Sequence, residues 1–288
     1  MSSLLLLLLA PAEASERVLT GRFDETLEAP APARIHLDVI CGSIATRASP
    51  RVTVRVTGSI QPDGQLHVER IGDRLHVAVR QIRMHRQSKL CTDLVIEVPE
   101  VTDLTLESVS ADVDLQGTKG RLAAETVSGS VTIGNGVRDV EVETVSGDVR
   151  VGSTRSSLDV TTVSGDVDAL GIAGELQVET VSGGVSVTGT LSRGEVTTVS
   201  GQVQILAGLS APGELEIHGH SGDVGVIVQS DNDASVELET YSGGLRVDGV
   251  TVPKRTRGPG QSHRFVHGRG AGVVQITTFS GDAVVQVR

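Results

Sequence analysis

The sequence predicts an all-β fold, a single-stranded β-helix (β-solenoid) with about 18–21 residues per coil. Three observations predict it. A Ser-Gly dipeptide recurs at Ser128, Ser146, Ser164, Ser182 and Ser200 with a constant spacing of 18 residues, then at Ser221 and Ser242 after 21, and again at Ser280. Around each dipeptide aliphatic and polar residues alternate, as in RDVEVETVSGDVRVGSTR (138–155), which is the signature of strands with one buried face. The apolar set is almost entirely Val, Leu, Ile and Ala, with no Trp, one Tyr, three Phe and 34 Gly, a composition for stacked β structure with frequent turns. An 18-residue unit carries too little apolar surface to fold alone and must share its inner face with neighbours above and below. Propeller blades need about 40 residues per repeat. Right-handed winding is favoured by the general crossover preference.

Taken from the start, MSSLLLLLLAPAEASE has an apolar run from Leu4 to Ala10 and then Ala12-Glu13-Ala14, a small-x-small pattern. Residues 1–14 are therefore expected to be a signal peptide, although no Lys or Arg precedes the Leu run. The expected product is exported, periplasmic or associated with the cell surface. No other apolar run approaches the roughly 20 residues of a membrane helix. Residues 15–90 are expected to form an N-terminal β cap, because the open end of a solenoid exposes unpaired strand edges. Within it RVTVRVTG (51–58), QLHVER (65–70) and DRLHVAVRQIR (73–83) read as strands, joined by PDG and IGD turns. Cys41 and Cys91 are an even pair, most simply a disulfide in an oxidising space, with two buried thiols or a metal pair as alternatives.

The repeat domain is expected to span 91–288. Counting the degenerate copy SVSADV (108–113), nine units are legible, and CGSIAT (41–46) is an isolated tenth. Stacked coils place equivalent residues about 4.8 Å apart. Val142, Val160 and Val178 should then form one buried ladder, and Val149, Val167 and Val185 another. Gly suits the corner, where the backbone bends and approaches closely, and Ser can bond the local backbone. The column before Ser reads Val127, Val145, Val163, Val181 and Val199, then His220, Tyr241 and Phe279. Strand parity flips near the corner and leaves its direction open, though His and Tyr favour an outward column with Thr inward. Between Gly249 and Gly270 the segment TVPKRTRGPGQSHRFVHGR reads as a basic loop bulging from a corner, and no cap is evident at the C-terminal VVQVR.

Charge is segregated. From Thr92 to Asp248 there are 26 acids and 7 bases, whereas 74–91 and 249–281 hold five Lys or Arg each and no acid. Lys254, Arg255, Arg257, Arg264 and Arg269 are therefore a candidate anion- or partner-binding loop, through envelope components, a protein partner or self-association. Nucleic acid is not expected, since stacking aromatics are nearly absent. Asp148 and Asp166, one coil apart, supply the two carboxylates that glycoside chemistry needs, but without aromatic sugar platforms. One Asp per coil is too few oxygens for calcium. The repeated Ser lacks a nucleophile elbow and a recurring His. His218 and His220 share one face, and with His263 and His267 they could meet at a metal only if the loop folded back. No catalytic residue, metal or cofactor is assigned.

The repeated ETVSGDV phrase, with VSG followed by an acidic or small residue and alternating Val, resembles the putative-adhesin family of bacterial envelope proteins (DUF4097) over roughly residues 90–288. The resemblance implies a single-stranded β-helix of an exported bacterial protein and transfers no binding motif. The expected function is a non-enzymatic structural or adhesion-like interaction module of the bacterial envelope. The alternatives are a polysaccharide-active β-helix enzyme and an envelope-stress sensor or scaffold that binds a protein.

Overall fold

The alternating valines do what their spacing requires. The computed structural model, which describes residues 16–28, 33–81, 91–229, 233–253 and 260–288, is a stack of β coils. One coil runs from Ser146 to Ser164 as a short strand, Val149–Val151, a bend at Gly152, and a long strand, Thr154–Ser164. It turns Val149, Val151, Thr154, Leu158, Val160 and Thr162 inward, all buried. The next coil repeats these positions in parallel register, with Val142 beside Val160, Val160 beside Val178, Val149 beside Val167 and Val167 beside Val185. Both expected ladders are present, and each of these six valines is at most 2% exposed. Burying a valine fully contributes roughly 1.5–3 kcal/mol, so a core without large aromatics is held by the number of its rungs.

Hydrogen bonding continues around the corner. Gly147 N–H donates to Ser164 O at 3.2 Å, and Val149 N–H to Asp166 O at 2.8 Å. Successive corner glycines approach so closely that a Cβ on Gly165, whose φ is +154°, would lie 2.2 Å from Gly147 O. Only glycine tolerates both the conformation and the contact.

At both ends the stack departs from chain order. Strand Ala33–Ser49 lies between two coils: it pairs in parallel with Arg74–Gln81 and Cys91–Pro99 on one side and with Thr102–Leu115 on the other. The parallel stack therefore starts at Ala33, and the boundary expected at residue 90 falls inside it. The reason is visible in ARIHLDVICGSIATRAS itself, whose Ile35, Leu37, Val39, Ile44 and Thr46 point into the core as in any other coil. The cap is narrower than expected. Thr53–Ile60 and Gly64–Ile71 lie antiparallel on the outermost coil, and Arg22–Glu28 and Glu16–Leu19 cover them in turn. The expected leader, 1–14, lies outside the described residues.

The C-terminal end mirrors this arrangement. Strands Gly272–Ser280 and Ala283–Val287, last in the chain, are inserted between the coil of Val203–Ser221 with Val224–Val228 and the coil of Ala234–Ser242 with Leu245–Val247. The outer coil is then closed by Gln261–His267, antiparallel to Ala234–Ser242, and by Val250–Thr251. The segment expected to bulge as a loop thus contains the closing strand, and the end that lacked an evident cap has one. An uncovered edge at Ala234–Ser242 would have offered its free N–H and C=O groups to another chain. Among the described residues no helix is long and apolar enough to cross a membrane.

Cys41 and Cys91 occupy directly opposed positions on adjacent parallel strands, with Cα atoms 4.4 Å apart, and are joined as a disulfide. The bond ties Ala33–Ser49 to Cys91–Pro99 across the end of the stack.

Candidate interaction face

The parity at the corner resolves with threonine inward and its neighbour outward. Thr126, Thr144, Thr162, Thr180, Thr198, Thr278 and Thr240 are buried, whereas the following column stays in solvent: Val127 is 51% exposed and Val199 46%. Register carries this column from Ile40 and Val109 through the five valines to His220, Phe279 and Tyr241. Each rung adds about 4.8 Å, so the outward ladder is about 40 Å long. A surface run of aliphatic and ring side chains this long is unusual enough to require an explanation.

Its last three rungs are aromatic, and the swapped chain order sets which ring meets which. Phe279 sits between His220 and Tyr241, with ring centroids 5.0 and 4.9 Å away and planes inclined by 10° and 4°. Stacking in chain order would have put His220 against Tyr241. Beside the rings runs a groove of about 560 Å³, bordered by His218, Thr277 and Glu239 and ended by Gln261.

Acids frame the ladder on both sides. Two residues before each ladder position stands a column with Asp38, Glu107, Glu125, Glu143, Glu179 and Glu239, all exposed. Three residues after it stands the corner column with Asp112, Asp148, Asp166, Asp223 and Asp282. These corner carboxylates are bonded to backbone: Asp166 Oδ1 accepts the Gly184 N–H at 2.8 Å, Asp282 Oδ1 that of Gly244 at 2.7 Å, and Asp112 Oδ1 that of Ser130 at 3.0 Å. Each Asp thus satisfies an N–H of the next corner that the parallel ladder leaves over. Asp148 likewise accepts the Asp166 N–H at 3.2 Å and meets Arg150 at 3.1 Å. Further along the acidic strand face, Asp159 is raised above its ordinary carboxylate range, first by burial and then by Glu141, Glu179 and Glu143.

The basic segment is placed differently from its expectation. Lys254, Arg255 and Arg257 lie outside the described residues. Arg264, on the closing strand, pairs with Glu237, and Arg269 Nε donates to Asp233 Oδ2 at 2.8 Å. Both arginines are therefore compensated by acids of the outer coil, which the sequence alone did not bring near them. Arg55 grips both carboxylate oxygens of Asp24 at 2.7 and 2.6 Å and holds its pKa below the ordinary carboxylate range. That pair fastens Arg22–Glu28 to the cap. Among the described residues no three His, Cys, Asp or Glu converge as metal ligands, so His218, His220, His263 and His267 do not form the folded-back cluster considered above.

The family model described as Toastrack DUF4097 matches residues 35–286. No curated protein matches the chain. Among solved structures, a putative adhesin from Bacteroides fragilis aligns over 96% of this chain and 98% of its own at 10% identity, with a TM-score of 0.40. One from Parabacteroides merdae aligns over 96% and 97% at 10% identity and a TM-score of 0.41. A putative cell adhesion protein from Clostridium sporogenes aligns over 96% and 100% at 11% identity, with a TM-score of 0.24.

Proposed function

The chain belongs to the Toastrack DUF4097 family, and from that premise we propose that it is a non-enzymatic, exported interaction module of the bacterial cell envelope whose contact surface is the outward ladder. One observation carries the reading: the aliphatic column from Val109 to Val199 stays exposed on six coils while the alternate residues of the same strands are buried. A solenoid needs no apolar residue there, since strand alternation is satisfied by any polar side chain. The opposed cysteines support export, because such bonds persist in oxidising compartments. The hydrogen bonds of the corner aspartates favour a module over a sugar-cleaving enzyme, because carboxylates that hold backbone N–H groups are committed to the fold. Binding of the basic segment to an anionic surface would rest on Lys254, Arg255 and Arg257, since Arg264 and Arg269 are paired within the molecule.

The test is to replace Val127, Val163 and Val199 with Thr, which keeps the β-branch on an exposed strand face. The parent should co-sediment with intact envelopes and cross-link to a discrete partner. The triple variant should unfold at the same temperature and lose both properties. Undiminished association of the variant would refute the ladder as the contact surface.

A further inference from the structure

Resting on that reading of the ladder, we propose that its occupant is a cationic amphipathic helix of a partner protein: a stripe of apolar side chains with lysine or arginine along both margins. The ladder is an apolar lane between two acidic ones. The lane that contains Glu125, Glu143 and Glu179 has no Lys or Arg at any rung from Asp38 to Glu239, and the corner lane that contains Asp148 and Asp166 has none either. Among the described residues, the one basic side chain bonded to a corner carboxylate is Arg150, against Asp148 at 3.1 Å. Negative charge is in excess on this face.

This arrangement sorts the possible occupants. A second copy laid ladder to ladder would bring acid lanes against acid lanes and pay for it in repulsion. An anionic membrane would be repelled in the same way. A metal ion or polyamine could neutralise the acids but would leave the valines wet. A cationic amphipathic polypeptide satisfies all three lanes at once: its apolar stripe covers the valines and its margins reach the carboxylates. The repeat selects its conformation. An extended strand presents same-face side chains about 6.8 Å apart and loses step with rungs of about 4.8 Å after two of them. An α-helix laid along the ladder presents its stripe once per turn, about every 5.4 Å, and stays within half a rung over four turns.

The experiment uses the full exported chain and three fluorescent synthetic peptides of equal length: a helix with a Leu stripe and Lys margins, the same helix with Glu margins, and a scrambled Lys peptide of unchanged composition. Anisotropy is read at low and high salt against the parent, against V127T/V163T/V199T, and against E125Q/E143Q/E179Q. The Lys-margin helix should bind the parent most tightly. Either triple variant should weaken that binding about tenfold, the factor that 1.4 kcal/mol represents. The Gln variant should also flatten the salt dependence, because those are the charges being screened. Unfolding curves that match the parent establish that the variants are folded.

The proposal is overturned if the Glu-margin or scrambled peptide binds as well as the Lys-margin helix. A concentration-dependent dimer of the parent that the Val variant abolishes would also overturn it, by showing that a second copy is the occupant. The two layers fail separately. If the Val variant loses envelope association but no peptide binds, the contact surface stands and the partner chemistry is wrong. If the Val variant keeps envelope association, the contact surface itself is wrong.

Discussion

Asp166 shows how a residue that reads as chemistry can be architecture. Its Oδ1 accepts the Gly184 N–H at 2.8 Å, so Asp166→Ala should cost about 1 kcal/mol in denaturant unfolding. Asp166→Asn retains an acceptor oxygen and should cost only a few tenths; equal losses from both would show that the charge, not the hydrogen bond, matters. The corner glycine is less forgiving. A Cβ at Gly165 would meet Gly147 O at 2.2 Å, and Gly165→Ala should lower stability by about 3 kcal/mol or more, the scale of backbone strain plus overpacking. Thr162 points the other way, since its buried hydroxyl has no hydrogen-bond partner among the described residues. Thr162→Val keeps its shape and should stabilise by about 1 kcal/mol; a lower melting temperature would show that the hydroxyl is satisfied after all. Asp159 makes a pH-dependent case. A carboxyl whose folded pKa lies above its unfolded value destabilises the fold at neutral pH, and that penalty fades as pH falls through the folded value to the unfolded one. Asp159→Asn should therefore raise the melting temperature at pH 7 and have no effect below about pH 3.9, the unfolded value.

At the level of strands, the repeat was legible because its period and its parity are local properties. Val142, Val149 and their counterparts declare an inward face by alternation alone, and the constant spacing aligns them into ladders. The direction of the Val127 column needed one more fact, that Thr126 rather than Val127 follows Ala124 inward across the corner. Non-local facts were not legible. Nothing in GQSHRFVHG announces a strand antiparallel to Ala234–Ser242, because alternation is imperfect there and the acid partners of Arg264 and Arg269, Glu237 and Asp233, lie 27 and 36 residues earlier in the chain. The cysteine pair is intermediate: its parity was visible, but the register that opposes Cys41 to Cys91 exists only once Ala33–Ser49 is placed in the stack. Closing a 50-residue separation should contribute about 4 kcal/mol through the unfolded chain. Replacing both cysteines with Ser should lower the denaturant midpoint accordingly, with the first losses of amide protection on Cys91–Pro99 and its neighbours; an unchanged midpoint would mean that the strand pairing alone secures this end.

For the whole molecule, a repeat sequence invites the assumption that neighbours in the chain are neighbours in space, and the middle of the rod obeys it. The two ends do not, because identical Ser-Gly corners fit one another in any order and the sequence of a coil does not state which edge it will meet. Even the rings of His220, Tyr241 and Phe279 do not tell, since they would stack continuously in either order. The insertion of Gly272–Val287 beneath an outer coil that precedes it in the chain also governs when the rod can be finished. As the chain emerges N-terminus first, residues 234–247 and Gln261–His267 appear before the coil on which they are to rest. They must wait unsupported, or settle on Val203–Val228 and later be displaced. Completion is then an act of wedging rather than of growth, and Gly272–Val287 serves as a keystone. Deleting it should release the outer coil together with the closing strand, and proteolysis of the shortened chain should advance in a single step to near Val228.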